Sequence, residues 1–281
     1  MKKEPKCILC NTKKEDLSIE AVGSQMRWSC WGFDKFVIKC NKCGLMFIYP
    51  QWTQKELDKL YDGYCDQKDF PTQKQAIRIT KYLPKYIKNK LNYILEIGSG
   101  KGDNIYYLRK KGYFCTIGID KDPTYCDNQI LLNKDYKDVD IKADFIYAIQ
   151  VFEHIDTPED FIKRIQEMLL LNGKFLLEFP NTEDPILTLY HVEEFKKFYY
   201  IPHHLFFWTP KTVQMLFDRL GIKVKVKLLQ KYGILNHLRW FFCGVPGNFH
   251  PHIPIIDDIY KFILEKIIKK TDTIIILGEK K

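Results

Sequence analysis

Residues 93–103 read Tyr-Ile-Leu-Glu-Ile-Gly-Ser-Gly-Lys-Gly-Asp, and the same stretch closes at 116–120 with Thr-Ile-Gly-Ile-Asp. The pattern predicts a buried strand, a glycine turn, a helix and a second strand that ends in an acid. The glycines at 98, 100 and 102 let the backbone turn tightly and approach a ligand, which a Cβ would prevent. Asp120 lies 20 residues after Gly100, where a strand-end carboxylate can accept both hydroxyls of a ribose. We therefore expect a nucleotide-cofactor site here.

The spacing departs from the dinucleotide-binding pattern G-x-G-x-x-G, because the third glycine comes one residue early and Glu96 stands two residues before the first. The motif at 96–102 resembles the first motif of class I S-adenosylmethionine-dependent methyltransferases. The resemblance implies that Glu96 and the glycines hold the methionine end of the cofactor, that Asp120 binds its ribose, and that Asp135 or Tyr136 contacts its adenine. The cofactor-binding residues expected from the resemblance are Glu96, Gly98, Ser99, Gly100, Gly102, Asp120, Lys121, Asp135, Tyr136 and Gln150.

The whole chain has the composition of a globular protein. Its 281 residues are 46% hydrophobic and 15% aromatic, which is ample for a core. No apolar run approaches the length of a membrane span, and the first residues lack the apolar stretch of a secretory signal, so we expect a cytoplasmic protein with no membrane insertion. The net charge of +9 comes from scattered lysines. Such a surface can attract RNA or a nucleotide-linked substrate, or only counterions.

Four of the nine cysteines form two C-x-x-C pairs, Cys7 with Cys10 and Cys40 with Cys43, and 29 residues separate the pairs. This spacing suits two knuckles that supply four thiolates to one tetrahedral Zn²⁺. Four cysteines close the coordination shell, so the predicted zinc is structural rather than catalytic. The alternative is that the cysteines are free thiols.

The segment that begins at Cys40 and continues through the helix predicted at 53–64 resembles the N-terminal zinc module of bacterial sugar methyltransferases. In that family this helix and its tyrosines lie near the substrate, which implies substrate contacts for Tyr61 and Tyr64. Aromatic residues at helical spacing are otherwise core residues. The predicted domains are a zinc-binding module at 1–52, a helical linker or cap at 53–91, and a methyltransferase domain at 92–281.

The remaining pattern predicts an α/β fold. Helices are expected at 72–91 and 103–111, from Pro158 to a stop at Gly173, and from Pro210 to a stop at Gly221. Strands are expected at 93–97, at 144–151, at 174–179, at 222–228 and at 273–277, besides the one that ends at Asp120. The resemblance implies a Rossmann-like seven-stranded methyltransferase sheet whose last strand is antiparallel and lies beside its predecessor. Residues 230–272 exceed a hairpin loop and are interpreted as an insertion on the substrate side.

Ligands of an open parallel sheet bind at the carboxyl ends of its strands, which selects the candidates for chemistry. The segment 150–154, Gln-Val-Phe-Glu-His, resembles the fourth motif of these methyltransferases. Methyl transfer to an alcohol requires removal of the hydroxyl proton, and histidine suits that task near neutral pH, so His154 is the predicted base. Glu153 is the second predicted catalytic residue and would orient a substrate hydroxyl or a histidine. The alternative is that both residues only cap the next helix. Further predicted substrate contacts are Glu178, Asn181, His203 and His204.

The sequence favours an S-adenosylmethionine-dependent methyltransferase that acts on a hydroxyl of a nucleotide-linked or polysaccharide sugar. Carbon-methylating relatives with the same zinc module carry a further C-terminal domain, whereas this sequence stops four residues after Leu277. We therefore expect oxygen as the acceptor atom and keep a sugar C-methyltransferase as an alternative. An RNA base methyltransferase with a zinc ribbon is the main alternative, and it requires aromatic stacking on an extruded base. A cofactor-binding protein without turnover is a third possibility.

Overall fold

The computed structural model describes residues 4–26, 35–61, 83–87, 89–246 and 253–281. The chain forms two compact units. Unit 1 comprises Met1–Leu57, Phe179–Ile222 and Val226–Ile275, and unit 2 comprises Asp58–Glu178, Lys223–Lys225 and Ile276–Lys281. The predicted domain boundaries stay a prediction.

The described segments contain eleven strands. They are β1 Leu17–Val22, β2 Phe36–Cys40, β3 Met46–Tyr49, β4 Ile94–Ile97, β5 Thr116–Asp120, β6 Leu131–Asn133, β7 Ala143–Ile149, β8 Leu169–Pro180, β9 Phe206–Phe207, β10 Val224–Leu229 and β11 Thr273–Glu279. The α-helices are α1 Gln54–Tyr61, α2 Asp103–Lys110, α3 Pro158–Met168, α4 Pro185–Thr188, α5 Glu193–Tyr199, α6 Pro210–Arg219, α7 Ile234–Cys243 and α8 Ile256–Phe262. A π-helical turn, Ile263–Ile268, follows α8 directly.

Seven strands form one sheet in the order β10-β11-β8-β7-β4-β5-β6. The pairs that join β4 to β5, β4 to β7, β5 to β6 and β7 to β8 are parallel. The last strand is antiparallel to β8, since Asn172 donates to the carbonyl of Lys280 while Asn181 donates to that of Asp272. β11 also lies beside β10. The predicted Rossmann-like seven-stranded α/β sheet is therefore confirmed.

The central strands form because their residues are apolar on both faces. Every residue of β4 is buried, and so are five of the seven residues of β7. Strands covered on both sides must be nearly continuous apolar runs, as these are. The chain leaves β4 in one direction through β5 and β6 and in the other through β7 and β8. The strand order therefore reverses at β4, which ends at the glycine turn.

A second, four-stranded sheet has the order β1-β2-β3-β9. Its strands are antiparallel, and Met46 of β3 pairs with Phe207 of β9. Val37, Ile48 and Phe207 belong to the buried cluster on this sheet. This small sheet carries the four N-terminal cysteines at its end.

Most predicted helix boundaries are confirmed by their caps. Thr53 and Glu56 exchange hydrogen bonds at the start of α1, and Thr209 forms a capping box at the start of α6. The glycines at 112 and 221 follow α2 and α6 with φ of 92° and 69°. Left-handed residues of this kind end helices because glycine adopts positive φ without a Cβ penalty.

Two predicted helices have the wrong end. Residues 72–82 of the helix predicted at 72–91 lie outside the described residues, and its described end is not α-helical, because Leu83–Lys85 is a 3-10 turn and residues 89–91 are not helical. The helix from Pro158 does not reach Gly173 but ends at Met168, where β8 begins. Gly173 lies inside β8, and a Cβ there would be 2.7 Å from the carbonyl oxygen of Leu170. The glycine therefore permits a close backbone approach within the strand.

Among the described residues, no helix is both long and apolar enough to cross a membrane.

Candidate active site

The glycine turn connects β4 to α2 in unit 2. Gly98, Gly100 and Gly102 have φ of 73°, 47° and 75°. A Cβ on Gly98 would clash with the side chain of Val151, and a Cβ on Gly102 would be 2.7 Å from Leu131 Cδ1. A Cβ on Gly100 would meet no described atom within 4 Å. Gly98 and Gly102 are therefore required by packing, whereas the space beside Gly100 is open to a ligand.

Asp120, at the end of β5, is tied to the glycine turn. Its Oδ2 accepts from the amide of Gly100 at 2.7 Å, and its Oδ1 accepts from the amide of Asp122 at 2.9 Å. Burial raises the pKa of Asp120, although these two amides oppose the shift. Each carboxylate oxygen can accept more than one hydrogen bond. The side chain thus retains acceptor capacity for the two hydroxyls of a ribose.

Glu96 is buried on β4, and two side chains hydrogen-bond its carboxyl group. Asn104 Nδ2, in the first turn of α2, lies 2.5 Å from Oε1, and the Tyr147 hydroxyl on β7 donates to Oε2 at 3.1 Å. Burial raises the pKa of Glu96 to about 8, even though both hydrogen bonds favour the charged form. The ligand-free carboxyl group is consequently poised to change charge near neutral pH.

Two buried polar atoms in the glycine turn and in α2 have no partner among the described residues. They are the Oδ1 atom of Asn104, which can only accept, and the Oγ atom of Ser99. Buried polar atoms are normally hydrogen-bonded, so such atoms at one strand end favour a polar ligand. An α-ammonium group would offer donors to Asn104 Oδ1 and to the Glu96 carboxylate, and an α-carboxylate group would accept from the Ser99 hydroxyl. The residues present therefore fit the methionine end of S-adenosylmethionine.

The two predicted adenine contacts differ in their surroundings. Asp135 follows β6 and forms an ion pair of 2.8 Å with Lys121 Nζ. Burial opposes its ionisation, but this pair and the amide of Lys137 lower its pKa. Tyr136 is buried, with its ring against that of Phe161 at a centroid distance of 4.8 Å. Asp135 is therefore the better candidate of the two, since the Tyr136 ring belongs to the core.

The carboxyl end of β7 approaches the glycine turn through Val151, whose side chain blocks a Cβ on Gly98. The preceding residue, Gln150, has a φ of 56° and donates its amide to the carbonyl of Glu178 at 2.7 Å. A 3-10 turn, Phe152–His154, follows directly. Its Glu153 is buried, His154 is partly exposed, and His154 Nε2 lies 3.9 Å from Glu153 Oε1. The two predicted catalytic residues, Glu153 and His154, thus form one carboxylate–imidazole pair.

The predicted substrate residues have different environments. Glu178 is buried at the end of β8 in unit 2. In unit 1, Asn181 is buried and accepts from the amide of Glu183 at 3.0 Å, which organises its own loop. His203 is buried, and the ring of His204 lies 6.1 Å from that of Phe207. The structure describes neither Tyr64 nor the side chain of Tyr61.

The four N-terminal cysteines converge in unit 1. Their Sγ atoms all lie within 4.8 Å of one another. Cys7 and Cys43 Sγ are 3.5 Å apart, and Cys10 and Cys40 Sγ are 3.4 Å apart. Four thiolates about 2.3 Å from one zinc ion would lie about 3.8 Å apart in tetrahedral geometry. The cluster therefore has the size of a Cys₄ metal site.

Matching backbone turns hold the two cysteine pairs. The amide of Asn11 donates to the carbonyl of Cys7, and that of Gly44 donates to Cys40, and both donors have positive φ. The Leu45 amide also points at Cys43 Sγ at 3.5 Å. Burial raises the pKa of Cys7 to about 11 and that of Cys43 still further. In a buried cluster of this kind, a metal cation that replaces the thiol protons would stabilise the thiolates.

Sequence reasoning missed two residues of the site, Asn104 and Tyr147. Asn104 lies eight positions after Glu96, in the first turn of the helix that the glycines begin. Polar residues are common in the first turn of any helix, so Asn104 did not by itself indicate a ligand contact. Tyr147 lies on the neighbouring strand β7, opposite Glu96 in the parallel register. Only the pairing of those two strands brings its hydroxyl to the carboxyl group.

Comparison with known proteins identifies the fold and the family of the chain. The family described as Methyltransferase domain matches residues 71–225. A solved SAM-dependent methyltransferase from Archaeoglobus fulgidus is similar over 79% of this chain and 99% of its own, with 16% identity and a TM-score of 0.52.

A second similar structure is the complex between the Haloferax volcanii Trm112 methyltransferase activator and a putative methyltransferase. It matches over 79% of this chain and 96% of the other, with 15% identity and a TM-score of 0.54. At these identities both structures show the fold alone. No curated protein matches the chain. The family match covers more than half of the sequence and includes the glycine turn, so this chain belongs to the methyltransferase-domain family and is an S-adenosylmethionine-dependent methyltransferase.

Proposed function

We propose that this methyltransferase methylates a hydroxyl group of a sugar, carried by a nucleotide or a polysaccharide, with His154 as the general base. The observation that carries the proposal is the carboxylate–imidazole pair after β7, in the turn whose Val151 packs on Gly98. A base in this position lies at the same strand ends as the cofactor-binding turn. Transfer to oxygen needs such a base, because a neutral alcohol must lose its proton as it attacks.

The cofactor would be held by residues of unit 2. Glu96, Asn104 and Ser99 are proposed to bind its amino-acid end, Asp120 its ribose and Asp135 its adenine. When bound, S-adenosylmethionine supplies a methyl group on a positively charged sulfur. The remaining candidates, Gly98, Gly100, Gly102, Lys121 and Gln150, shape or border this region through their backbone or through the ion pair with Asp135.

The imidazole of His154 is proposed to take the proton of the acceptor hydroxyl as the methyl group that the cofactor would supply leaves its sulfur for the oxygen. The imidazole becomes an imidazolium, and the buried carboxylate of Glu153 at 3.9 Å stabilises that charge. A general base of this kind contributes about 10²–10⁴ in rate, while orientation of the two substrates contributes much of the rest.

The four cysteines are proposed to bind one structural Zn²⁺. Their spacing supports a closed shell that leaves no position for water, and this favours a role in folding rather than in chemistry. The zinc module would occupy residues 1–52, as the sequence predicts. Arg219 at the end of α6 also binds the carbonyls of Ile8 and Leu9, at 2.6 and 3.0 Å, and so ties the first cysteine turn to the body of unit 1.

The test is methyl transfer from S-adenosylmethionine to a panel of nucleotide-linked sugars, followed by His154→Ala on the acceptor found. We expect kcat to fall about 10²–10⁴-fold while cofactor affinity is unchanged. The matched control is His191→Asn, because His191 is exposed and has a positive φ that asparagine tolerates. Unchanged methylation in His154→Ala would show that another group is the base.

The RNA alternative is less well supported by the described residues. Three tryptophans, Trp28, Trp31 and Trp208, are candidates for stacking on an extruded base. Trp208 is buried. Trp28 and Trp31 lie outside the described residues. Salt-sensitive RNA binding, together with methylation of an RNA base and of no sugar, would replace the sugar proposal.

A further inference from the structure

The helix α7 exposes its apolar face to solvent. Leu238, Phe241 and Phe242 recur at intervals of three and one residues, which places them on one helical stripe, and Val245 follows just after the cap of the helix at Gly244. All four are exposed, Phe241 by 57% and Phe242 by 76%. The opposite face of α7 is buried and includes a polar pair, Asn236 and His237. Trp240 shares this buried face, so α7 carries large apolar residues on both its buried and its exposed side.

The helix α8 and the turns on either side of it repeat this arrangement. Ile255, Ile256, Ile259 and Phe262 recur at helical spacing, and all are exposed, Ile255 by 71% and Ile259 by 56%. Ile267 continues the exposed apolar residues into the π-helical turn. Asp257 is buried on the opposite side. In α8 a polar residue inside with isoleucines outside reverses the usual pattern.

Hydrogen bonds hold the polar faces inward. The Tyr260 hydroxyl lies 2.6 Å from His237 Nδ1 and so joins α8 to α7. Asp257 accepts from the amides of Ile234 and Ile253, both at 2.9 Å, and Glu265 accepts from the amide of Gln230 at 2.9 Å. Rotation of either helix to bury its apolar stripe would break these bonds and leave buried polar groups unpaired, which is costly. These hydrogen bonds therefore keep the apolar side chains of α7 and α8 exposed.

The exposed charges of these two helical segments are mainly positive. Arg239, Lys266 and Lys269 are exposed in the same two helical segments. Two of their three acids, Asp257 and Glu265, are turned inward to backbone amides. Among the described residues of these segments, Asp258 is the one acid that is exposed. Glu194 of α5 lies against Gly244, at the end of α7, and pairs with Lys197 at 2.8 Å. Apolar helices whose own exposed charges are mainly positive are complementary to an anionic lipid bilayer.

We propose that α7 and α8 form a membrane-binding surface that docks this enzyme on an anionic bilayer. Phe241, Phe242, Ile255 and Ile259 enter the boundary between headgroups and acyl chains. Arg239, Lys266 and Lys269 contact the acidic headgroups. The helices lie on the membrane and do not cross it, as expected of short amphipathic segments.

The test is cosedimentation of the purified full chain with large unilamellar vesicles. One vesicle preparation contains phosphatidylcholine alone and the other an equal mixture of phosphatidylcholine and phosphatidylglycerol. We expect binding to the mixed vesicles and weak binding to phosphatidylcholine. Phe242→Glu and Ile259→Glu should each lower the partition coefficient about tenfold, because each removes buried apolar area and adds a repelled charge. The matched control is Phe114→Glu, since Phe114 is 68% exposed in unit 2.

Failure of the wild-type chain to bind mixed vesicles would overturn the proposal. Equal losses in Phe242→Glu and Phe114→Glu would also overturn it, because binding would then not depend on this surface. Light scattering of the same protein samples without lipid measures the oligomeric state. It tests whether a second copy of the chain, rather than a bilayer, covers this surface. A dimer that Phe242→Glu converts to a monomer would assign the surface to self-association instead.

Discussion

The pH dependence of cofactor binding should report the ionisation of Glu96. Burial raises the pKa of this carboxyl group to about 8, so it is mostly protonated near neutral pH in the ligand-free protein. The α-ammonium group of S-adenosylmethionine is held best by the ionised form, since opposite charges favour each other in a buried site. Binding near neutral pH must therefore release a proton from Glu96.

The size of the effect follows from the distance between the pH and the pKa. Deprotonation costs about 1.4 kcal/mol one unit below the pKa and about 2.7 kcal/mol two units below it. The affinity should therefore rise about tenfold from pH 6 to pH 7, continue to rise to about pH 8, and level off above it. In Glu96→Gln the side chain cannot ionise, so binding should be weaker at high pH and lose this dependence.

Titration calorimetry in two buffers of different ionisation enthalpy measures both the affinity and the protons released. The difference between wild type and Glu96→Gln cancels the titration of the ligand itself. Tyr147→Phe removes a hydrogen bond that favours the charged form, and it should move the midpoint to higher pH. The reasoning is refuted if wild type and Glu96→Gln change in parallel with pH, or if wild type releases no proton near pH 7.

Three further predictions concern stability. Cys43→Ser should abolish zinc binding by elemental analysis and lower the melting temperature, whereas Cys243→Ser, at an exposed position, should do neither. Gly102→Ala should lower the free energy of unfolding in urea by about 2–4 kcal/mol from strain and overlap, while Gly221→Ala, with positive φ but open space, should cost about 1 kcal/mol. Burial lowers the pKa of His237 to about 4. The unfolded chain protonates histidine near 6.5, so stability should fall by up to about 3 kcal/mol between pH 6.5 and pH 4, and His237→Gln should remove this loss.

Local sequence patterns were sufficient for elements whose signals lie within a few residues. The glycine turn, the helix start at residue 53 and the helix stop at Gly221 were predicted because backbone sterics and side-chain caps act over one or two turns. The end of α3 was not predicted, because no glycine or proline marks Met168. There the chain continues into β8, which pairs with β7. Pairing with a strand that is distant in the sequence overrides local helix propensity.

The candidate site was likewise predicted only in part. Glu96, Asp120 and His154 could be selected because they follow or lie on strands whose ends face ligands. The burial of Tyr136 could not be anticipated, since the choice between ligand contact and core depends on Phe161, a residue 25 positions away. The same holds for the hydrogen bond from Tyr147 to Glu96, which spans 51 positions.

The sequence by itself determined the α/β class, the cofactor, the positions of the glycines and the pairing of the cysteines by motif, because these depend on short spacings and on the chemistry of single residues. The tertiary structure alone decided the charge state of Glu96, the convergence of the four thiols and the outward direction of the apolar stripes on α7 and α8. Burial and long-range hydrogen bonding set those properties, and both depend on which distant segments become neighbours.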